Sequence, residues 1–235
     1  MATSGPTTQR ISIIVPVLNE ETSIKQNITA LKKLDKDNEL IFVDGGSSDE
    51  TLPLLSSNNF NVVYARGKGR GNQIAIGAEQ SSEHSEILLF LHIDSVLPEN
   101  FNGHITSAMR LANWGFFYIT LDSKEIVFKI ISKMMNLRSG LFNIATGDQS
   151  LFVKRSLFMN CIPEVKQHPL MEDIYISKYM KNNFGRAHVI KERVTTSTRY
   201  WKKHGVIKTI INMWRFRLLY FFGTSPKKLF DLYYT

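Results

Sequence analysis

The sequence predicts an α/β fold: a mostly parallel sheet flanked by helices, with further helices towards the C-terminal end. Three observations carry this prediction. Short apolar runs alternate with helical patterns through the first half of the chain. The runs are apolar at successive positions, as strands buried on both faces should be. Polar or turn-forming residues close each run, giving the βαβαβαβ rhythm of a parallel sheet.

Each element follows from its own pattern. Ile11-Ser12-Ile13-Ile14-Val15 reads as the first strand, ended by Pro16. From Glu21 to Leu34 the residues Ile24, Ile28, Leu31 and Leu34 recur at helical spacing. Leu40-Ile41-Phe42-Val43 is the second strand, closed by Asp44-Gly45-Gly46. Ser47 and Ser48 are expected to cap a short helix that has Asp49 and Glu50 in its first turn. Asn61 to Ala65 is a third strand, Gly71 to Gln80 a third helix and Glu86 to Leu91 a fourth, central strand. The second half is less regular, with a strand from Trp114 to Leu121 and a long helix from Glu125 to Leu137. With 235 residues, the expectation is a single domain. Its nucleotide-binding half covers about residues 10–95 and its acceptor half about 96–235.

Composition narrows the function classes. The hydrophobic fraction of 43% suits a globular core. Cys161 is the only cysteine, so no disulfide forms within the chain, and a passive, partly buried thiol is expected. Met1 to Gln9 lacks the basic and apolar regions of a signal peptide, and no apolar run is long enough to span a membrane. The expected location is cytoplasmic, either free or peripheral on the inner membrane surface. Lys and Arg number 29 against 21 Asp and Glu, a net charge of +8, which attracts anions generally. No zinc-finger spacing or RNA-binding aromatic signature accompanies the basic residues, so nucleic acid is not the expected partner. The first strand leads into Pro16-Val17-Leu18-Asn19-Glu20 rather than a glycine fingerprint, and no Walker A loop is present. Dinucleotide oxidoreductases and P-loop kinases are thereby disfavoured.

Open parallel sheets bind ligands at the carboxyl ends of their strands. Three polar clusters fall there: Asn19-Glu20, Asp44, and His92-Ile93-Asp94. His92 and Asp94 are two residues apart, on the same side of an extended backbone. An imidazole beside a carboxylate suits Mn²⁺ better than Mg²⁺, and a divalent cation neutralises a departing diphosphate. Glu172-Asp173 opens a helical run. These acids are either partners of the helix dipole, or they include a general base for an attacking hydroxyl.

The ordered motifs are more specific than any one cluster. Ile13 to Glu20, Val43-Asp44-Gly45-Gly46-Ser47-Ser48-Asp49-Glu50-Thr51 and Gly69 to Ala75 resemble glycosyltransferase family 2, with its GT-A, Rossmann-like fold. Leu89 to Asp94, Ala145 to Gln149, Met171-Glu172-Asp173 and Thr195 to Trp201 continue the resemblance. Within the family, the chain resembles a short subgroup described as associated with arsenosugar biosynthesis. It does so through Ala145 to Gln149, Pro169 to Asp173 and Trp214 to Tyr220.

The resemblance implies a nucleotide-sugar donor, favouring a UDP-sugar, and transfer to an acceptor hydroxyl that the sequence does not identify. It places Pro16, Asn19 or Glu20, Asp44 and Arg70 in the nucleotide pocket, with Arg199 and Trp201 towards the diphosphate and acceptor. Asp94 would be the ligand of Mn²⁺ or Mg²⁺. His92 stands where the family commonly has the first acid of Asp-x-Asp. Asp173, with Glu172 beside it, would be the base of an inverting transfer. The alternative is a degenerate member that binds a nucleotide or glycan without turnover. Finally, Gly205 to Phe222 is apolar and aromatic, interrupted by Lys208, Asn212, Arg215 and Arg217. It reads as a helix that packs on the core or a partner subunit, or lies on an anionic membrane. The sequence fixes no oligomeric state.

Overall fold

The computed structural model describes residues 10–234, so the reading of Met1 to Gln9 lies outside the described residues. The first half is β1 (Ile11–Val17), α1 (Glu21–Asp37), β2 (Glu39–Asp44), α2 (Thr51–Ser57), β3 (Asn61–Tyr64), α3 (Arg70–Gln80) and β4 (Ile87–Phe90). There follow β5 (Ser95–Val96), α4 (Phe101–Met109), β6 (Trp114–Leu121), α5 (Ile126–Phe142) and β7 (Phe152–Lys154). The short helices α6 (Arg155–Phe158) and α7 (Ile162–Lys166) lead to α8 (Glu172–Phe184) and β8 (His188–Thr196). Last come α9 (Arg199–His204), α10 (Val206–Phe221) and α11 (Pro226–Tyr234).

One eight-stranded sheet has the order β3-β2-β1-β4-β7-β6-β8-β5. The β1–β2, β2–β3, β1–β4 and β6–β8 pairs are parallel, while β7 runs antiparallel to both β4 and β6, and β5 antiparallel to β8. The expected α/β architecture is therefore present, with an antiparallel insertion in the half where the sequence pattern is less regular.

Side chains alternate across the sheet, which divides the core in two. Ile13 and Val15 join Phe42, Leu89 and residues of α1 and α5 on one face. Ile14 joins Ile41, Val43, Leu88 and residues of α3 on the other. Burying each such aliphatic side chain contributes roughly 1.5–3 kcal/mol, which explains why the runs are continuously apolar. Among the described residues, no helix is long and apolar enough to cross a membrane.

Two local expectations are corrected. Pro16 does not end β1; it is paired with Val43 inside the strand. The Leu91 N–H donates to Ile14 O, so residues of Ile14's parity turn their polar groups towards β4. The last β1–β4 pair is Ile14 with Phe90. Pro16 follows two residues later, so its missing N–H interrupts no ladder. Nor do Ser47 and Ser48 cap α2, which starts at Thr51 without a side-chain cap. Their polar groups are bonded to the loops at the ends of β1 and β2, described below.

Candidate active site

Two loops are tied together at the carboxyl ends of β1 and β2. Asp44, the last residue of β2, is 1% exposed. Its carboxylate accepts the Gly46 N–H at 2.8 Å, the Ser47 N–H at 3.1 Å and the Ser47 hydroxyl. Asn19 sits in the left-handed region with φ 54°. Its N–H donates to Ser47 Oγ at 2.9 Å and its Oδ1 accepts the Ser48 N–H at 2.8 Å. The Glu20 N–H donates to Thr51 Oγ1 at 2.7 Å. Beneath the loops, Gln73 of α3 donates from Nε2 to both Val17 O and Val43 O, each at 2.8 Å. That buried amide joins the two strand ends. Pro16 is buried within the sheet, one residue before Val17.

Arg70 begins α3 and reaches across to the second half. Its Nη1 donates to Glu172 Oε1 at 3.0 Å, and its N–H donates to Pro169 O. This approach needs glycine on both sides of Arg70. A Cβ on Gly69, which has φ +93°, would lie 2.3 Å from Pro169 Cα, and one on Gly71 would lie 2.2 Å from His168 O. The guanidinium also packs over Gly147, where a Cβ would fall 2.2 Å from Nη1. Arg70 Nη2 is buried and has no hydrogen-bond partner. An orphaned guanidinium N–H is costly, so it is a ready donor to an anionic ligand.

The two acids at the start of α8 have different surroundings, because adjacent helical residues point about 100° apart. Glu172 is 4% exposed and bonded to Arg70. Burial raises its pKa to about 7, with the nearby Asp173 carboxylate adding to the rise and Arg70 opposing it. Asp173 is more exposed. Its Oδ2 accepts the Gly147 N–H at 2.9 Å, and its Oδ1 accepts the Ile174 N–H at 2.7 Å.

After β4, His92 Nδ1 meets Asp94 Oδ1 at 2.5 Å. Burial disfavours charge on both groups, but their mutual bond and attraction outweigh it. The His92 pKa is raised and the Asp94 pKa lowered, each by the other's presence. Arg199 and Arg70 lie close enough to add attraction for Asp94. Asp94 and Arg199 line one small cleft of about 130 Å³, and Arg199 is ion-paired to Glu20 at 3.1 Å. Among the described residues, no group of three or more His, Cys, Asp or Glu is set to hold a metal ion. The donor set is one carboxylate with an imidazole beside it. That set fits an ion taking its other ligands from phosphate oxygens and water.

Arg70, Glu172, Asp173, His92, Asp94, Arg199 and Glu20 thus form one neighbourhood, adjoining the Asn19–Asp44 loops. Trp201 is not part of it: the side chain is 7% exposed and packs in the core against residues of α5. Its bulk is worth more there than at a polar rim. Cys161 is fully buried and its thiol is pushed up to about 12 by burial, which makes it inert.

Two charged residues complete the neighbourhood. Burial raises the Asp148 pKa, with His92 and Arg70 opposing the rise and Asp94 and Asp173 adding to it. Arg138 of α5 is lowered by burial, opposed by attraction to Asp173 and Asp148. Asp148 lies within a segment whose pattern the sequence displays. Arg138 has no motif around it, and only the packing of α5 brings it to Asp173.

Comparison with known proteins addresses the family and the fold. Residues 12–147 match glycosyl transferase family 2, more than half of the chain. The chain is 27% identical over 152 residues to an undecaprenyl-phosphate 4-deoxy-4-formamido-L-arabinose transferase of Photorhabdus laumondii, covering 59% of this chain and 45% of that protein. It is 35% identical over 79 residues to the protein of the same name from Enterobacter sp., covering 29% of this chain and 24% of that one. The matches thus span less than half of these relatives' length.

Among solved structures, S. aureus TarS 1-349 in complex with UDP-GlcNAc aligns with a TM-score of 0.61 at 17% identity, over 80% of this chain and 58% of that one. Glucosyl-3-phosphoglycerate synthase of Mycobacterium tuberculosis, in complex with Mn²⁺, uridine-diphosphate and phosphoglyceric acid, aligns with a TM-score of 0.52 at 17% identity, over 80% and 69%. At that identity the two structures establish a shared fold, of the GT-A type. The sheet order and the family match together identify the chain as a member of glycosyl transferase family 2.

Proposed function

We propose that this protein transfers a sugar from a nucleoside diphosphate sugar to an acceptor hydroxyl, with inversion at the anomeric carbon. The observation that carries the proposal is the convergence of Arg70, Asp94 and Asp173 at the carboxyl edge of the sheet. A cation, a potential metal ligand and a potential base there all lie within electrostatic reach of Asp148, and the cation within reach of Asp94. The first half of the chain supplies the donor site and the second half most of the acceptor site. Solved relatives in complex with UDP-GlcNAc, or with uridine-diphosphate and Mn²⁺, support a uridine nucleotide and a divalent ion. We also place the chain in the short subgroup associated with arsenosugar biosynthesis, on its Ala145–Gln149 and Pro169–Asp173 segments.

In this reading Asp44 and the Asn19–Ser48 loops receive the nucleoside, with Pro16 stiffening the strand below them. Arg70 meets the diphosphate with its unpartnered Nη2. The Glu20–Arg199 ion pair holds a second guanidinium beside Asp94. A Mn²⁺ or Mg²⁺ ion, held by Asp94 with His92 alongside, would neutralise charge on the leaving diphosphate. Glu172 holds Arg70 in place. Asp173 is oriented by two backbone N–H groups and takes the proton of the attacking hydroxyl, a contribution typically of about 10²- to 10⁴-fold.

Asp173→Asn should abolish transfer while leaving nucleotide binding intact. Near-wild-type turnover in that variant would remove Asp173 from the role. The second reading, a nucleotide- or glycan-binding protein without turnover, draws on the His92–Asp94 ion pair, which occupies one ligand oxygen. Slow hydrolysis of a nucleotide sugar by the purified protein excludes it.

A further inference from the structure

Helices α5 and α10 leave an unusual amount of apolar surface uncovered. On α5, Ile126, Ile130, Met134, Leu137 and Leu141 recur at helical spacing and are 53–74% exposed. On α10, Ile207, Ile211, Trp214, Leu218 and Phe221 do the same at 51–75%. Between the helices lies an apolar groove of about 400 Å³ that includes Met134, Leu141, Met213 and Trp214. A second apolar recess of about 250 Å³ continues it, sharing Arg138, Phe142, Trp214 and Arg217. The recess ends at Thr146 and Ile174. These precede and follow Gly147 and Asp173, which are bonded to each other at 2.9 Å. The groove and its recess therefore run from the exposed apolar face to the residues that flank the Gly147–Asp173 bond, beside the residue read above as the base.

Charge decides what fits it. The two helices carry Lys129, Lys133, Arg138, Lys208, Arg215 and Arg217, and not one Asp or Glu. Among the described residues, neither Arg138 nor Arg217 makes an ion pair. A second copy meeting this face across a two-fold axis would bring cations against cations with no carboxylate to pair them. An apolar surface edged by cations is instead complementary to a lipid that has a hydrocarbon chain and an anionic head.

We propose that the groove between α5 and α10 holds the hydrocarbon chain of the acceptor, a membrane lipid with an anionic head group. Arg138 and Arg217 receive its phosphate, and its hydroxyl is delivered to Asp173. This rests on the transferase reading above. In the step, the lipid hydroxyl oxygen bonds to the anomeric carbon and its proton passes to Asp173. The bond from that carbon to the diphosphate breaks, and the nucleoside diphosphate leaves with the electron pair.

Lysophosphatidylglycerol carries one chain, one phosphate and free hydroxyls, and is the probe. Titrated below its micelle concentration into the whole protein, it should shift the fluorescence of Trp214 and Trp201, which both line the groove. Lysophosphatidylcholine should do so more weakly. Arg138→Gln with Arg217→Gln should weaken lysophosphatidylglycerol binding about tenfold or more, as loss of charge-assisted contacts predicts. Vesicles of phosphatidylcholine with phosphatidylglycerol should co-sediment the protein, and Trp214→Glu should release it.

Equal affinity for the two lysolipids, or an unchanged affinity in the arginine variant, overturns the proposal. So does a concentration-dependent dimer that lysophosphatidylglycerol does not dissociate, because the face would then be covered by a second copy. UDP-sugar binding, measured in parallel by calorimetry, separates the two readings. If it persists while the lysolipid fails, only the lipid acceptor falls; if it is absent, the transferase reading falls.

Discussion

Glu172 is a carboxyl group buried against a guanidinium, and its titration links the stability of the fold to the state of the site. The perturbation is Glu172→Gln, which keeps the shape and an oxygen to accept from Arg70 but cannot ionise. Burial raises the folded-state pKa from an ordinary 4.5 to about 7. Between those pH values the folded protein keeps a proton that the unfolded chain has lost. Stability from this group is therefore fully present below pH 4.5 and is lost as pH rises through about 7. The interval is worth about 3 kcal/mol. The side chain is 5% exposed, so solvent screening takes little of it.

The assay is urea unfolding followed by tryptophan fluorescence, for both proteins, at steps from acid to mildly alkaline pH. Other carboxylates titrate in both proteins and cancel in the difference. Arg70 faces a neutral amide in the variant, and any offset from that exchange does not change with pH. The stability of Glu172→Gln relative to the wild type should rise by about 3 kcal/mol from pH 4.5 to above 7. Parallel profiles, or a difference of opposite sign, would refute a buried, proton-retaining Glu172. The Arg70–Glu172 contact would then be an ordinary ion pair.

Two further outcomes are expected. Gln73→Leu removes a donor from two buried carbonyls, of which Val17 O keeps the Gly45 N–H, so stability should fall by about 1–3 kcal/mol. Nucleotide affinity should fall with it, and a urea midpoint within error of the wild type would show that the bridge is dispensable. EDTA should suppress transfer and Mn²⁺ restore it, with Asp94→Ala removing the response to Mn²⁺. Activity indifferent to chelator and metal would discard the ion.

Much of the first half of the chain is legible in the sequence because its determinants are local. Continuous apolar runs at Ile11, Leu40 and Ile87 fix buried strands, and the polar residues closing them fall at the carboxyl edge by the topology of parallel sheets. Asp44 and Asp94 could be singled out on that ground before any contact was known. Local pattern misjudged Pro16 and Ser47–Ser48. Whether a proline ends a strand depends on what its nitrogen faces, and the serines serve Asp44 and Asn19 from across the loop rather than the next helix.

What tertiary structure alone decided are the meetings between residues far apart in the chain. Arg70 reaches Glu172 only because Gly69 and Gly71 let α3 approach the Pro169 loop. The pKa of Glu172 is a property of that burial, which helix propensity and spacing do not encode. Trp201 belongs to a motif by sequence but to the core by packing. The stripe on α10 was readable as amphipathic. Its counterpart on α5, and the groove that carries Arg138 to Asp173, exist only once the two helices lie side by side. Periodicity tells a chain which face of a helix is apolar; only the packing of the other elements determines whether that face is covered.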